Sequence, residues 1–247
     1  VFIMGITIGS FLNVCIYRIP RGESVVSPPS RCTRCSHSLA WYDLIPILSY
    51  IFLKGKCRYC GEGISPRYPI IEALNGILYL FVFYYFGISL EFYFYCFMTS
   101  ILIVICLIDY YERIIPDGLV LAILAATVLY KGLGYFISGT PFSFRDSIYG
   151  FLTGGLVFLS IAVVSKGAMG GGDIKLTAAL GLILGFKKTV LNILLSFIIG
   201  ALASLYLVIS GRKGRKDEIP FGPFINISFF ITLFFGAGII YRYLQSF

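Results

Sequence analysis

Apolar residues in this chain come in long blocks, and a helix needs about 20 of them to cross a bilayer. Blocks of that order with few charges lie near 1–17, 69–90, 92–108, 114–137, 147–165, 174–187, 189–210 and 219–241. They predict an all-α polytopic membrane protein with about eight transmembrane helices. The blocks at 147–165 and 189–210 hold no charged residue, while 174–187 is short, includes Lys175 and is read as starting below the membrane surface. Loops between the later blocks are short, so neighbouring helices are expected antiparallel and side by side. The glycine pairs Gly5/Gly9, Gly150/Gly154 and Gly181/Gly185 predict close helix contact. The first block is followed rather than preceded by a basic residue, Arg18, the reverse of a secretory signal's order. It is read as a retained span, with a few residues missing before Val1.

Charge adds a direction. If the spans alternate strictly, loops 18–68, 109–117, 166–175 and 211–218 share one side and carry fifteen of the twenty Lys and Arg residues. The other side keeps Lys131, Arg145, Lys187, Lys188 and Arg242. The positive-inside rule then puts the first group in the cytoplasm and both termini outside. Composition agrees with the class: 58% of residues are hydrophobic and 13% charged, against roughly 45–50% and about 25% in soluble domains. A water-soluble enzyme, a disordered chain and a secreted disulfide scaffold do not fit these numbers. The net charge of +8 does not require nucleic acid, because cytoplasmic loops are the usual source of a basic excess in such a protein.

The one long polar piece, 18–68, separates the first span (1–17) from a seven-helix membrane domain (69–247). Within it Cys32-x-x-Cys35 and Cys57-x-x-Cys60 are separated by 21 intervening residues. Two Cys-x-x-Cys turns at about that separation are the pattern of a tetrahedral four-thiolate zinc site, two sulfurs from each turn. An insert this small, with few large aliphatic side chains, commonly needs a metal or cross-link to stay folded. Two disulfides or four unlinked thiols are the alternatives, and a reducing cytoplasm disfavours the disulfides. Cys15, Cys96 and Cys106 lie in apolar blocks and read as buried small hydrophobes, and His37, the single histidine, as a surface residue. The insert's basic residues, among them Arg31, Arg34, Lys54 and Arg58, are interleaved with Trp41, Tyr42 and Tyr59. That mixture could bind nucleic acid, but a solvated face beside anionic lipid of the bilayer accounts for it as well, and no nucleic-acid partner is expected.

An ionisable group at the hydrocarbon edge is costly and marks a candidate site. Asp109 follows the uncharged run 92–108 and Asp173 stands behind Gly170, Gly171 and Gly172, just before Lys175. By the loop assignment both fall at cytoplasmic helix ends, at one depth, where they could meet. Two facing carboxylates sharing a proton hydrolyse a peptide bond without a covalent intermediate: the ionised one takes a proton from water while the protonated one polarises the carbonyl. The glycine triplet would let backbone approach a substrate chain and adopt positive φ, making 170–175 a candidate substrate loop. The plainer readings are a helix N-cap for Asp173 and an i,i+4 pair with Arg113 for Asp109. Asp117 and Glu112 read as turn and loop residues. The competing classes are a binding module built on the zinc insert and an ion-coupled transporter, whose carboxylates would be expected nearer the membrane midplane.

With these residues in view, the chain resembles the bacterial type IV prepilin peptidases, or leader peptidase/N-methyltransferases, over nearly its whole length. The resemblance is carried by Gly9-Ser10-Phe11-Leu12-Asn13-Val14, Pro28-Pro29-Ser30-Arg31-Cys32, Leu44-Ile45-Pro46-Ile47-Leu48-Ser49-Tyr50, Gly55-Lys56-Cys57-Arg58-Tyr59-Cys60-Gly61 and Arg67-Tyr68-Pro69. Downstream it is carried by Asp109, Ile115-Pro116-Asp117, the Gly-x-Gly-Asp motif ending at Asp173, and Ile219-Pro220-Phe221-Gly222-Pro223. The resemblance implies an aspartic endopeptidase of the bacterial cytoplasmic membrane, with Asp109 and Asp173 as the catalytic pair, that removes the basic leader of prepilins and pseudopilins after a Gly. Insert and aspartates would face the cytoplasm. It also implies N-methylation of the new N-terminal residue from S-adenosylmethionine, because the four-cysteine insert belongs to the methylating forms. The residues show no Rossmann-type donor motif, and Gly22-Glu23-Ser24 offers only Glu23 as a candidate contact for donor or amine. A peptidase alone, with the zinc insert docking substrate, is the alternative.

Overall fold

The computed structural model of the chain describes residues 1–138, 143–165, 169–212, 214, 217 and 219–245. Its helices are α1 (Phe2–Arg18), the short α2 (Leu48–Phe52), α3 (Arg67–Phe86), α4 (Leu90–Glu112), α5 (Asp117–Ser138), α6 (Phe144–Val164), α7 (Gly171–Ile209) and α8 (Gly222–Gln245). Among the described residues, seven of them are long and apolar enough to cross a membrane. The apolar blocks therefore locate the helices, but three boundaries differ. Helix α4 runs on to Glu112, which puts Asp109 in its last turn rather than in a loop. Helix α7 begins at Gly171, so Asp173 lies inside its first turn. The third difference is the apparent fusion of blocks 174–187 and 189–210 into one 39-residue helix.

That fusion is not a straight rod. At Gly185 the backbone takes φ 74° and ψ 175°, a conformation that only glycine adopts at low cost. The neighbours of α6 show what happens there. Gly150 packs on the carbonyl of Gly181 and against Gly185, and Gly154 packs on the carbonyl of Thr177. Further along α6, the Phe158 ring lies 5.6 Å from that of Phe197. The first limb of α7 is thus antiparallel to α6 and the second parallel to it, so the chain doubles back at Gly185. Seven helices yield eight segments, divided at Gly185 rather than beside Lys188. Both glycines of the pair Gly181/Gly185 pack against Gly150, and Gly185 has a second task. Gly185 makes the turn, and the Asp146 carboxylate fills the space a side chain there would need, accepting the Phe186 N–H at 3.1 Å.

The chain forms two compact units, Val1–Val104 and Ile105–Phe247, with the boundary inside α4. In the first, α1 and α3 run antiparallel at very close range: a methyl group on Gly5 would stand 2.6 Å from Cα of Gly76, and one on Gly9 2.7 Å from Cα of Glu72. Polar side chains bind the pair where water is scarce. Asn75 Nδ2 donates to the Gly5 carbonyl at 2.7 Å, and Asn13 Nδ2 to that of Tyr68 at 3.3 Å. In the second unit, Leu121, Val128, Leu156 and Leu202 are exposed, a surface suited to lipid rather than water. Of the basic loop residues, Lys166, Lys213, Arg215 and Lys216 lie outside the described residues.

Candidate active site and metal centre

Asp109 and Asp173 both belong to the second unit and are both buried, at 6% and 9% exposure. Helix α4 ends just past Asp109, at Arg113 with φ 56°, and the carboxylate turns away from its own helix. Its Oδ2 accepts the N–H of Gly222 at 2.8 Å, the first residue of α8, where the positive end of a helix dipole is directed. Gly222 has to be a glycine for this: a Cβ there would stand 2.6 Å from that oxygen. The expected i,i+4 contact with Arg113 appears as a backbone bond, Arg113 N–H to the Asp109 carbonyl at 3.0 Å.

Asp173 is the third residue of α7, and the N-cap is Gly170, so a capping role does not account for it. Its Oδ1 is buried and accepts no hydrogen bond, and the charge of Asp109 acts on it. A buried carboxylate oxygen without a donor is a costly arrangement and marks Asp173 as a candidate. The glycine triplet behaves differently from expectation. None of the three takes a positive φ; what matters is their size. A Cβ on Gly172 would stand 2.8 Å from Ile115 Cβ, and one on Gly170 3.3 Å from Asp173 Oδ2, whereas Gly171 faces open space. Lys175, immediately before the segment's apolar stretch, donates to both carboxylate oxygens of Asp117, at 2.8 and 3.0 Å. Asp117 opens α5 as a turn residue should, and its ion pair with Lys175, which spacing alone does not reveal, ties α5 to the segment bearing Asp173.

In the first unit the four cysteines converge, all their sulfurs lying within 4.8 Å of one another. Each pair sits in the same small turn. Cys32 N–H donates to the His37 carbonyl and Ser36 N–H to that of Cys32; 25 residues later Cys57 N–H donates to Glu62 and Gly61 N–H to Cys57. Ser36 and Gly61 both take positive φ, at 57° and 72°, and an isolated bridge closes each turn, Arg31 with Ser38 and Lys56 with Gly63. The insert therefore contains a structural repeat, whose only trace in the sequence is the Cys-x-x-Cys pair. His37 is exposed, as expected, but its ring lies 3.7 Å from that of Tyr59, and Arg34 pairs with Glu62, so both contacts clip one turn to the other. The Cys32 and Cys60 sulfurs are 3.8 Å apart, the separation that tetrahedral Zn–S bonds of about 2.3 Å require. The N–H groups of Cys35 and Arg34 pull the Cys32 thiol down to about 6, toward the thiolate that binds metal. An N–H near Glu62 favours the Cys60 thiolate too, but burial and the neighbouring sulfurs push that thiol up to about 12 without a metal. Cys15 and Cys96 are buried and Cys106 half-buried, as befits small hydrophobes.

Asp43 braces this centre. Burial opposes its ionisation, but the Arg58 guanidinium at 2.7 Å, the Tyr59 hydroxyl and the Ala40 N–H outweigh that and hold its carboxyl below the usual range. Beside the four cysteines lies a cavity of about 790 Å³, lined by the ends of α1 and α3 and by the insert, with Cys32, Cys57 and the exposed Glu23 among its lining residues. Two buried residues also reach it, Asn13 and Glu72, which sequence reasoning passed over because both sit inside apolar blocks.

Comparison with known proteins bears on both sites. Residues 3–86 match the bacterial peptidase A24 N-terminal domain, and residues 96–205 match the type IV leader peptidase family. A prepilin leader peptidase/N-methyltransferase of Bacillus subtilis is 35% identical over 247 residues, covering 99% of this chain and 96% of that protein. Proteins of the same name from Aeromonas hydrophila and Stutzerimonas stutzeri are 33% and 31% identical, covering 93% and 92% of their own lengths and 100% and 98% of this chain. No solved structure matches the chain.

Proposed function

Because the chain belongs to the type IV leader peptidase family, we propose that it is a prepilin peptidase that cuts the leader from type IV prepilins and pseudopilins and then methylates the new N-terminus. Asp109 and Asp173 are its proteolytic pair. The observation that carries this reading is their burial within one unit: one carboxylate anchored by the Gly222 N–H, the other with a buried oxygen that accepts no hydrogen bond and lying within reach of the first one's charge. With one proton shared between them, the ionised member activates a water and the protonated member polarises the scissile carbonyl, and the proton positions reverse as the amine leaves. The basic loops support a site on the cytoplasmic face of the cytoplasmic membrane, where the leader would stay in water and the prepilin's apolar segment would lie in the bilayer. Cys32, Cys35, Cys57 and Cys60 would hold a structural zinc ion, which fixes the two cysteine turns of the insert.

S-adenosylmethionine is the methyl donor in this reading, and Glu23, among the cavity's lining residues, is a candidate contact for it. The order of events follows from chemistry, since the amine to be methylated does not exist until the leader is removed. Mass spectrometry of a prepilin incubated with purified enzyme and donor tests both activities together: leader loss with one added methyl group is expected. Asp109→Asn and Asp173→Asn should each lower cleavage by at least about 10³-fold yet leave methylation of an already cut pilin intact. Cleavage near the parental rate by either variant removes the pair from the mechanism.

A further inference from the structure

Two of the residues lining the cavity of the first unit, Asn13 and Glu72, are buried and carry acceptors. Asn13 is 3% exposed, and its amide nitrogen is fully engaged, donating to the carbonyls of Gly9 and Tyr68, both at 3.3 Å. That fixes which way the amide faces. Asn13 lines the cavity, and its Oδ1 is buried with no donor of its own. Glu72 is 7% exposed; its Oε2 accepts the Ile47 N–H at 2.8 Å, and Ser10 also hydrogen-bonds it. A carboxylate has about four acceptor positions, so capacity remains. The nearby cation is already committed: Arg18 donates to the carbonyls of Ser24 and Pro28, at 3.0 and 2.7 Å. The remaining charged groups around the cavity are Glu23, Arg31, Asp43, Arg58 and Glu62. A buried, unpartnered acceptor beside a buried carboxylate calls for a ligand rich in donors and positively charged, and a cavity of about 790 Å³ falls within the usual range for small-molecule sites, roughly 300–1,000 Å³.

We propose that this cavity is the amine site of methyl transfer, in which Asn13 Oδ1 and Glu72 receive the α-ammonium group of the newly cut chain and Glu72 takes its proton. The proposal rests on the reading that the chain methylates. The free amine's lone pair then attacks the methyl carbon of the sulfonium donor. An N–C bond forms, the C–S bond breaks with its electron pair going to sulfur, and the sulfonium becomes a thioether. The secondary ammonium that results gives up its extra proton to solvent. A terminal chain amine fits the location, because α1 and α3 enter the apolar region beside the cavity and a pilin's own apolar segment begins at the residue to be methylated. An ammonium group is also present on the aminoacyl end of the donor, so the two sources must be told apart.

Glu72→Gln in the full-length enzyme does so. Glutamine keeps an acceptor for the Ile47 N–H but has no basicity, and prepilin cleavage by the same preparation reports that the protein is folded. With a cut pilin peptide and S-adenosylmethionine, methylation by the variant should fall about 100-fold at neutral pH. The deficit should shrink as pH rises past the α-amino range, about 7.7–8.0, where the amine deprotonates unaided. An N-acetylated peptide should compete poorly against parental enzyme and lose that disadvantage in the variant. Methylation near the parental rate, or a deficit equal at every pH, overturns the proposal. So does full rescue by saturating donor, which would assign the acceptors to the donor's own amine. Parental enzyme that cuts prepilin completely and never adds a methyl group overturns both this site and the reading beneath it; failure of the variant predictions alone leaves that reading standing.

Discussion

Gly222 is the most exposed to test of the residues that sequence patterns could not interpret. Read from the chain it is one residue of the Ile219-Pro220-Phe221-Gly222-Pro223 motif that carries the family resemblance; in the structure it is the donor that orients Asp109 and the position where a methyl group would stand 2.6 Å from that carboxylate. Gly222→Ala must displace Asp109 or α8 by several tenths of an ångström. Misplacement of a catalytic group by about 1 Å costs roughly 100-fold, so initial rates of prepilin cleavage should drop by 10-fold or more, approximately, with expression unchanged. Asp43 gives a prediction with a pH sign. Its folded pKa lies below the ordinary value, so its bond to Arg58 stabilises the insert above about pH 4 and that contribution is lost as pH falls through the lowered folded value. Trp41, the single tryptophan, sits two residues away and is 77% exposed. Its fluorescence should report an acid transition in the parental protein that is absent from Asp43→Asn, which should be less stable by about 1 kcal/mol at neutral pH. The candidate site residues were legible because cysteines, and carboxylates beside apolar runs, stand out by type. Their partners were not, because a backbone N–H, an asparagine or a glycine reveals its task only when the fold brings another element against it.

Helices were legible as apolar blocks, and the glycine pairs of α1 and α6 were legible as contact faces, since close packing demands small residues at helical spacing. The turn within α7 was read three residues late. Lys187 and Lys188 look like a loop, but long side chains can carry their charges away from an apolar surface while the helix continues. Hydropathy registers polarity and not φ, so the reversal at Gly185 left no mark of its own. Substitution there is therefore diagnostic. Gly185→Ala would force a side chain into positive φ and into the Asp146 carboxylate, at a cost of about 1–3 kcal/mol or more, read as a lowered melting temperature in detergent. Asp146→Ala removes the acceptor of the Phe186 N–H and should cost about 1 kcal/mol, the usual worth of a helix cap.

The whole chain declared its membrane class in its composition; the division into two units, cut within α4, had no signature in the sequence because an uninterrupted helix crosses it. That division predicts separable defects. The cysteines lie in one unit and the aspartates in the other, so replacing any of the four cysteines by serine should release about one zinc per chain, measured by metal analysis. Methylation should fail with it, while cleavage persists at a substantial fraction of the parental rate. The doubled-back α7 has a physical consequence for the surrounding lipid. Its first limb, 171–184, spans about 21 Å at 1.5 Å per residue, roughly a third short of a ~30 Å hydrocarbon core. Acyl chains beside it must therefore compress or tilt, and the cost of that mismatch grows with their length. Reconstituted in vesicles of increasing acyl-chain length, the enzyme should cut its substrate progressively more slowly as the bilayer thickens, because a thick membrane draws its oil over the very end of the helix where Asp173 has to meet water.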